Sequence, residues 1–287
     1  MKKPLAVLQI NFLLVLVVLI LAELFFGGWI GKNFGTLVIP INMDRRFDVS
    51  GLYKRNNPKI HYTRDENGFR GKYKEPSKID IFAVGGSTTN EIFIDDSETW
   101  TSVLRNLFRE NGRNVNVVNG GVDGQSTVGH LANFDYWYPK IRNFKPRYIL
   151  FFIGINDTVI SKTGYLSKQD RFFNYTFTIK QYLLNNSAIY TLFRNIRGTL
   201  RARRADLIHG SKSFRGSKWR TGPTQPDLGK MGRDYARQLI AYGERIKLLI
   251  ARTRNLGATP IVVTQHDATY RIKGSKVYGR ELQNGLV

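Results

Sequence analysis

Cysteine is absent from the sequence, so disulfides and thiolate-held metal sites are excluded. Acid is scarce: 22 Asp and Glu face 44 Lys and Arg, for a formal net charge of +22. That imbalance favours polyanionic partners: anionic lipid headgroups, acidic polysaccharide or nucleic acid. Histidine is rare, with four in 287 residues: His61, His130, His209 and His266. The phosphate-cradling patterns G-x-x-x-x-G-K-[ST] and G-x-G-x-x-G are missing from the glycine-rich turns at Gly85 and Gly120, and no motif calls for a cofactor. G-x-S-x-G is also absent, so a strained nucleophile elbow of that type is excluded. No internal repeat or low-complexity tract is visible. Hydrophobic residues at 42% and aromatics at 13% are nevertheless enough for a packed core rather than a disordered chain.

What is present begins with an apolar run. Lys2 and Lys3 precede Leu5 to Ala22, which only Gln9 and Asn11 interrupt, and the next charge is Glu23. About 20 apolar residues suffice to cross a bilayer as a helix. No small-x-small cleavage site follows, since the chain continues Glu23-Leu24-Phe25-Phe26 and then Gly27-Gly28-Trp29. Residues 1–30 therefore read as an uncleaved N-terminal membrane anchor. Lys2 and Lys3 favour a cytoplasmic N-terminus, with the remainder on the exported, periplasmic or extracellular, side. Export makes nucleic acid the least expected of the polyanions. Residues 31–75, mixed, polar and basic with Pro40 and Pro58 as breakers, read as a juxtamembrane segment.

Residues 76–287 alternate strand and helix signals. Ile79–Val84 is an apolar strand, and Ser97-Glu98-Thr99-Trp100 opens a helix with Trp100, Val103, Leu104, Leu107 and Phe108 at helical spacing. Val115–Val118 and Tyr148–Ile153 are further strands, separated by a helical stretch near Ser126–Tyr138. A basic insert, 158–228, breaks the rhythm before a helix face of Met231, Tyr235, Leu239, Tyr242, Ile246 and Leu249 and a strand Pro260–Thr264. Strands separated by helices imply an α/β fold with a parallel sheet and helices on both faces. Sites in such sheets lie beyond the C-terminal strand ends. Three polar glycine-rich turns fall there: 85–90, 119–127 and 154–157.

Acyl transfer at a serine needs donors aimed at the developing oxyanion. Ser87 offers Oγ and its own N–H, Gly124 an N–H without a side chain in the way, and Asn156 a side-chain N–H. Each has an ordinary reading too: Gly85-Gly86 as a tight bend, Gly124 at a helix start, Asn156 as a turn or cap residue. Their joint placement at one sheet edge favours function. Val84-Gly85-Gly86-Ser87-Thr88-Thr89, Asn119-Gly120-Gly121-Val122-Asp123-Gly124 and Gly154-Ile155-Asn156-Asp157 resemble, in order and spacing, three blocks of the SGNH/GDSL hydrolases. Asn67-Gly68-Phe69-Arg70-Gly71 and Asp96-Ser97-Glu98-Thr99-Trp100 resemble stretches of that family's membrane-anchored members. The resemblance covers roughly residues 62–270. It implies a flavodoxin-like three-layer α/β/α fold, Ser87 as nucleophile, and Gly124 and Asn156 in the oxyanion hole. It further implies ester substrates, either acyl lipids or acetyl groups on carbohydrate, with hydrolysis or transfer to polysaccharide as the outcome.

The family's fourth block, D-x-x-H after the last strand, is not found. Its histidine takes the serine proton and its aspartate orients that histidine. His266 ends the strand signal at Thr264-Gln265-His266-Asp267, where a satisfied strand-end histidine is the plainer reading. Asp206-Leu207-Ile208-His209 matches literally but lies in the insert, in the wrong order. His61 and His130 read as structural. The simplest expectation is a C-terminally incomplete domain. The insert carries Arg194, Arg197, Arg201, Arg203, Arg204, Lys212, Arg215, Lys218 and Arg220, with Phe214 and Trp219 interleaved. It reads as a solvated loop, or as a patch for an anionic membrane surface or acidic polysaccharide. Two functions follow: an envelope serine esterase or O-acyltransferase, or an inactive envelope protein that binds acylated or acidic glycan.

Overall fold

The computed structural model describes residues 3–29, 34, 37, 39–52, 56–157, 183, 186–204, 218–221, 225–265, 270–274 and 276–280. The elements in chain order are α1 (Lys3–Phe26), β1 (Met43–Asp48), β2 (Lys59–Arg64), β3 (Ile81–Gly85) and α2 (Ser87–Asn90). There follow α3 (Trp100–Glu110), β4 (Val117–Asn119), α4 (Thr127–Tyr136), β5 (Tyr148–Phe152) and α5 (Ala188–Arg204). The last are β6 (Trp219–Thr221), α6 (Gln225–Asn255), β7 (Thr259–Val263), β8 (Tyr270–Lys273) and β9 (Lys276–Arg280). Two compact units divide the chain: Met1–Ile39 with Asn174–His209, and Pro40–Phe173 with Gly210–Val287.

The first unit holds α1 and α5. Helix α1 is apolar on every side, and Val7–Phe26 is long and apolar enough to cross a membrane, with none of it buried in the protein. A helix folded against a core shows one apolar stripe; this one shows none in particular, as a lipid-facing helix does.

The second unit is built on a parallel sheet in the order β4-β3-β5-β7. Each residue of β3 is buried, which is why Ile81-Phe82-Ala83-Val84 reads as a continuous apolar run rather than an alternation. Beneath it Phe82 meets Phe69, Phe144, Tyr138 and Trp137 with ring centroids 4.7, 5.0, 5.7 and 6.2 Å away. Helix α3 begins where Thr99 accepts a hydrogen bond from the Ser102 N–H, an N-cap that satisfies one orphan donor. Helix α6 packs on α4 and β7. The chain places β4 on one side of β3 and β5 on the other, so the strand order reverses at β3 and β5, and the C-terminal ends of these two strands are where such sheets place their sites.

Three features lie outside the sequence-based expectation. Residues 43–48 and 59–64 form an antiparallel hairpin, with Met43 opposite Arg64 and Asp48 opposite Lys59. It lies in the span read as a juxtamembrane segment, and from Pro40 onward that span shares a compact unit with the sheet. The Met-Asp-Arg-Arg-Phe-Asp strand is too polar to announce itself, and its partner buries Arg64 where an apolar residue is the usual occupant. The insert contains α5, β6 and the start of α6 among its described residues, and it is divided between the two units. Trp219, read as an interleaved aromatic, lies in a small sheet of order β6-β9-β8, where the guanidinium groups of Arg271 and Arg280 stand 4.3 and 4.8 Å from its ring. Phe214 lies outside the described residues.

Candidate functional site

The edge at the ends of β3 and β5 brings the predicted turns together. Gly85 pairs with Phe152 across the parallel ladder, and the Val122 N–H donates to the Gly85 carbonyl at 2.9 Å. Ser87 is the first residue of α2 and is exposed. Asn156 follows β5, and its side-chain amide donates to the Gln125 carbonyl at 2.8 Å. A Cβ on Gly86 would collide with that amide nitrogen, so only glycine lets Asn156 lie directly against the residue before Ser87. Gly124 is exposed at φ +73°, a left-handed position that favours glycine, with open space where a Cβ would stand. One turn therefore presents the hydroxyl, one a glycine N–H, and a single asparagine touches both.

The donors at this edge are unspent. Neither the Ser87 N–H nor the Gly124 N–H has a hydrogen-bond partner among the described residues. The Asn156 amide carries two N–H bonds and spends one on Gln125.

A frame of buried polar groups holds the turns in register. The Asn119 amide donates to the Thr89 carbonyl at 2.5 Å, and its oxygen accepts from the Gly121 N–H at 2.9 Å. Asn90 accepts from Arg64 Nη2 at 2.6 Å and Tyr62 at 3.0 Å, and donates to Asp123 Oδ1 at 2.8 Å, beside Gly124. Asp157 does not face the serine as an acid. Its carboxylate accepts from the Thr127 N–H at 3.1 Å and from Thr127 Oγ1, and pairs with Arg245 at 3.2 Å, so it anchors the start of α4. Gln265, just past β7, closes the edge: it donates to Thr88 Oγ1 at 2.7 Å and accepts from the Ile155 N–H at 3.0 Å. Sequence reasoning singled out neither Gln265 nor Arg64 nor Arg245. Glutamine at a strand end and arginine in a basic chain carry no pattern.

No described residue bonds the Ser87 hydroxyl. His61 lies on the hairpin, 2.7 Å from Asp44. His130 is buried in α4, and neither ring nitrogen has a hydrogen-bond partner among the described residues. His209, Asp206 and His266 lie outside the described residues, so the expectations placed on them do too. Among the described residues no group of His, Asp and Glu is arranged to hold a metal ion.

Burial pushes the His130 imidazole down to about 3. An unfolded histidine takes its proton near pH 6.5, so between 6.5 and 3 the unfolded chain binds the extra proton. Stability is then full above pH 6.5 and falls as the pH drops toward 3. At 1.36 kcal/mol per unit, the loss is about 2 kcal/mol by pH 5 and about 5 kcal/mol by pH 3. Thermal unfolding at pH 7 and pH 5 checks this: the wild type should lose more than His130→Leu, and equal losses would refute the assignment.

The fold and this edge define a parallel α/β protein with a serine turn at its crevice. No protein-family model matches the chain, and no curated protein matches it. Among solved structures it is similar to AlinE4, an SGNH-hydrolase family esterase, at 16% identity over 59% of this chain and 97% of that one, with a TM-score of 0.28. It is similar to TesA at 18% identity over 63% and 76% of the two chains, TM-score 0.28. An acetyl xylan esterase from Geobacillus stearothermophilus matches at 15% identity over 64% and 77%, TM-score 0.28.

Proposed function

We propose that the chain is a membrane-anchored serine esterase or O-acyltransferase of SGNH type, on a flavodoxin-like three-layer scaffold, acting on acyl or acetyl esters of envelope carbohydrate or lipid. The observation that carries this reading is the set of unspent donors, Ser87 N–H, Gly124 N–H and one Asn156 N–H, on turns that Asn156 joins by lying against Gly86 and bonding Gln125, together with an exposed Ser87. Ser87 Oγ attacks the ester carbonyl, and the three donors receive the oxyanion. The acyl group then passes from Ser87 to water in an esterase, or to a glycan hydroxyl in a transferase. A base must take the serine proton, and losing one costs roughly 10²–10⁴ in rate. Gln265 bonds the serine turn at Thr88 and the Asn156 turn at Ile155, and His266 follows it in sequence; this makes His266 the first base to test, ahead of Asp206 and His209. A fluorophosphonate probe should label the wild type and leave Ser87→Ala unlabelled, while His266→Gln slows labelling. Equal labelling of wild type and Ser87→Ala would end the enzyme reading.

A second reading has one observation in its favour: no described residue bonds Ser87 Oγ. The same crevice would then bind an acylated or acidic glycan without turnover. Saturable binding of acetylated glycan, unchanged in Ser87→Ala and without acetate release, would support it; steady acetate release from the wild type would remove it.

A further inference from the structure

We infer that α5 is an interfacial helix: it lies on the membrane surface where α1 emerges, with its apolar face among the lipid acyl chains and its arginines at the phosphates. The inference is independent of the esterase reading and rests on α1 crossing the membrane. Its first support is a joint between the two helices. Glu23, in the last turn of α1, accepts from Ser187 Oγ at 2.6 Å and from the Ala188 and Ile189 N–H groups at 3.1 Å each. Ser187 Oγ in turn accepts from the Tyr190 N–H at 3.0 Å. Between them the carboxylate and the serine satisfy three of the four orphan donors at the start of α5. The Gly28 N–H adds a bond to the Asn186 carbonyl at 2.7 Å.

This joint fixes the depth of α5. Val7–Phe26 spans 20 residues, about the thickness of a hydrocarbon core, and Glu23 stands near its end. A charged carboxylate belongs at the interface rather than inside the core, so the helix it caps starts there. The sequence of α5 suits that position. Leu192, Phe193, Ile196 and Leu200 fall on one face at helical spacing and are exposed by 61, 62, 53 and 51%. Arg194 stands on the opposite side and Arg197 at the border of the apolar face, and Arg201, Arg203 and Arg204 follow in a helix with no acidic residue. Four large apolar side chains in water are costly, and a bilayer at that depth removes them from it while offering phosphates to the arginines.

The cysteine-free chain allows a direct test, because a single introduced cysteine carries the only spin label. The full chain is placed in bilayers of phosphatidylcholine and phosphatidylglycerol, with one label at Leu192, Phe193, Arg194, Ile196, Arg197, Leu200 or, as the reference in α1, Leu14. Collisions with oxygen report lipid, and collisions with a water-soluble nickel complex report solvent. The expected result is a shift toward oxygen at 192, 193, 196 and 200, toward nickel at 194 and 197, and strongly toward oxygen at 14. Glu23→Ala should abolish the oxygen preference at 192. Equal nickel access along all of α5 would overturn the inference, as would shielding of the apolar face from both reagents, which would mean that protein covers it. A label at 14 that meets nickel would instead refute the membrane span itself.

Discussion

Asn156→Ala is expected to lower the rate of phosphonylation by a fluorophosphonate, and of ester turnover, by about 10²–10³, with KM nearly unchanged. The amide of Asn156 lies against Gly86 and spends one N–H on the Gln125 carbonyl, which fixes its plane. On the proposed reading the second N–H serves the oxyanion, and a donor that needs no reorganisation is worth most in the transition state, where that charge forms. The ground-state ester presents no such charge, so the loss falls on kcat rather than on binding. Asn156→Asp sharpens the test. It keeps the shape but turns a donor into an acceptor that faces both the Gln125 carbonyl and the oxyanion. It should therefore fall at least as far as alanine. If Asn156→Ala reacts as fast as wild type, Asn156 is a turn residue and the oxyanion hole has to be built from the two backbone N–H groups alone.

The parts of this fold that were legible in the sequence are those where periodicity and burial agree. Ile79–Val84 was expected as a strand and β3 occupies Ile81–Gly85; the helix expected to open before Trp100 starts there; Pro260–Thr264 was expected and β7 is Thr259–Val263. The three turns were legible because a strand end that must bend sharply at a crevice draws Gly and Asn. What the sequence concealed is polar and buried. Arg64 and Arg70 are 2% and 1% exposed, yet in a chain of net charge +22 they look like any surface cation. Their partners are distant in sequence, with Asn90 lying 26 residues from Arg64, so no local pattern reveals them. Helix α5 was hidden for a related reason: its arginines dominate the basic run, and its apolar positions become a face only once the helix is seen.

Arg70→Ala is expected to cost about 3–5 kcal/mol, the range for removing one member of a buried ion pair. Its Nε meets Asp96 at 2.6 Å, Nη1 donates to the carbonyls of Asn90 and of Glu91 (2.8 Å for the latter), and Nη2 donates to the Ile94 carbonyl. The guanidinium also lies 4.6 Å from the centre of the Tyr62 ring. One side chain thus ties down the whole loop that leaves α2. That loop carries strain: Glu91 is left-handed at φ +52°, a conformation unfavourable for a residue with a Cβ. Removing Arg70 takes the guanidinium donors from the Asn90 and Ile94 carbonyls, while the Glu91 carbonyl keeps the Ile94 N–H; it frees Glu91 to relax and loosens the C-terminal end of the four-residue helix that begins with Ser87. At about 2–4 °C per kcal/mol for a domain of this size, the melting temperature should fall by roughly 6–20 °C. Lysine does not restore it, because an ammonium cannot reach carbonyls on both sides of the loop and Asp96 in one plane. Thermal unfolding of wild type, Arg70→Ala and Arg70→Lys gives the stability. Phosphonylation rates well below each variant's melting point give the geometry. A loss of stability with an unchanged rate would mean that Ser87 is held by β3 and the ladder bonds of Gly85 alone. A loss in both means that this loop sets the serine, and that the Asn67–Gly71 and Asp96–Trp100 stretches occur together because Arg70 joins them.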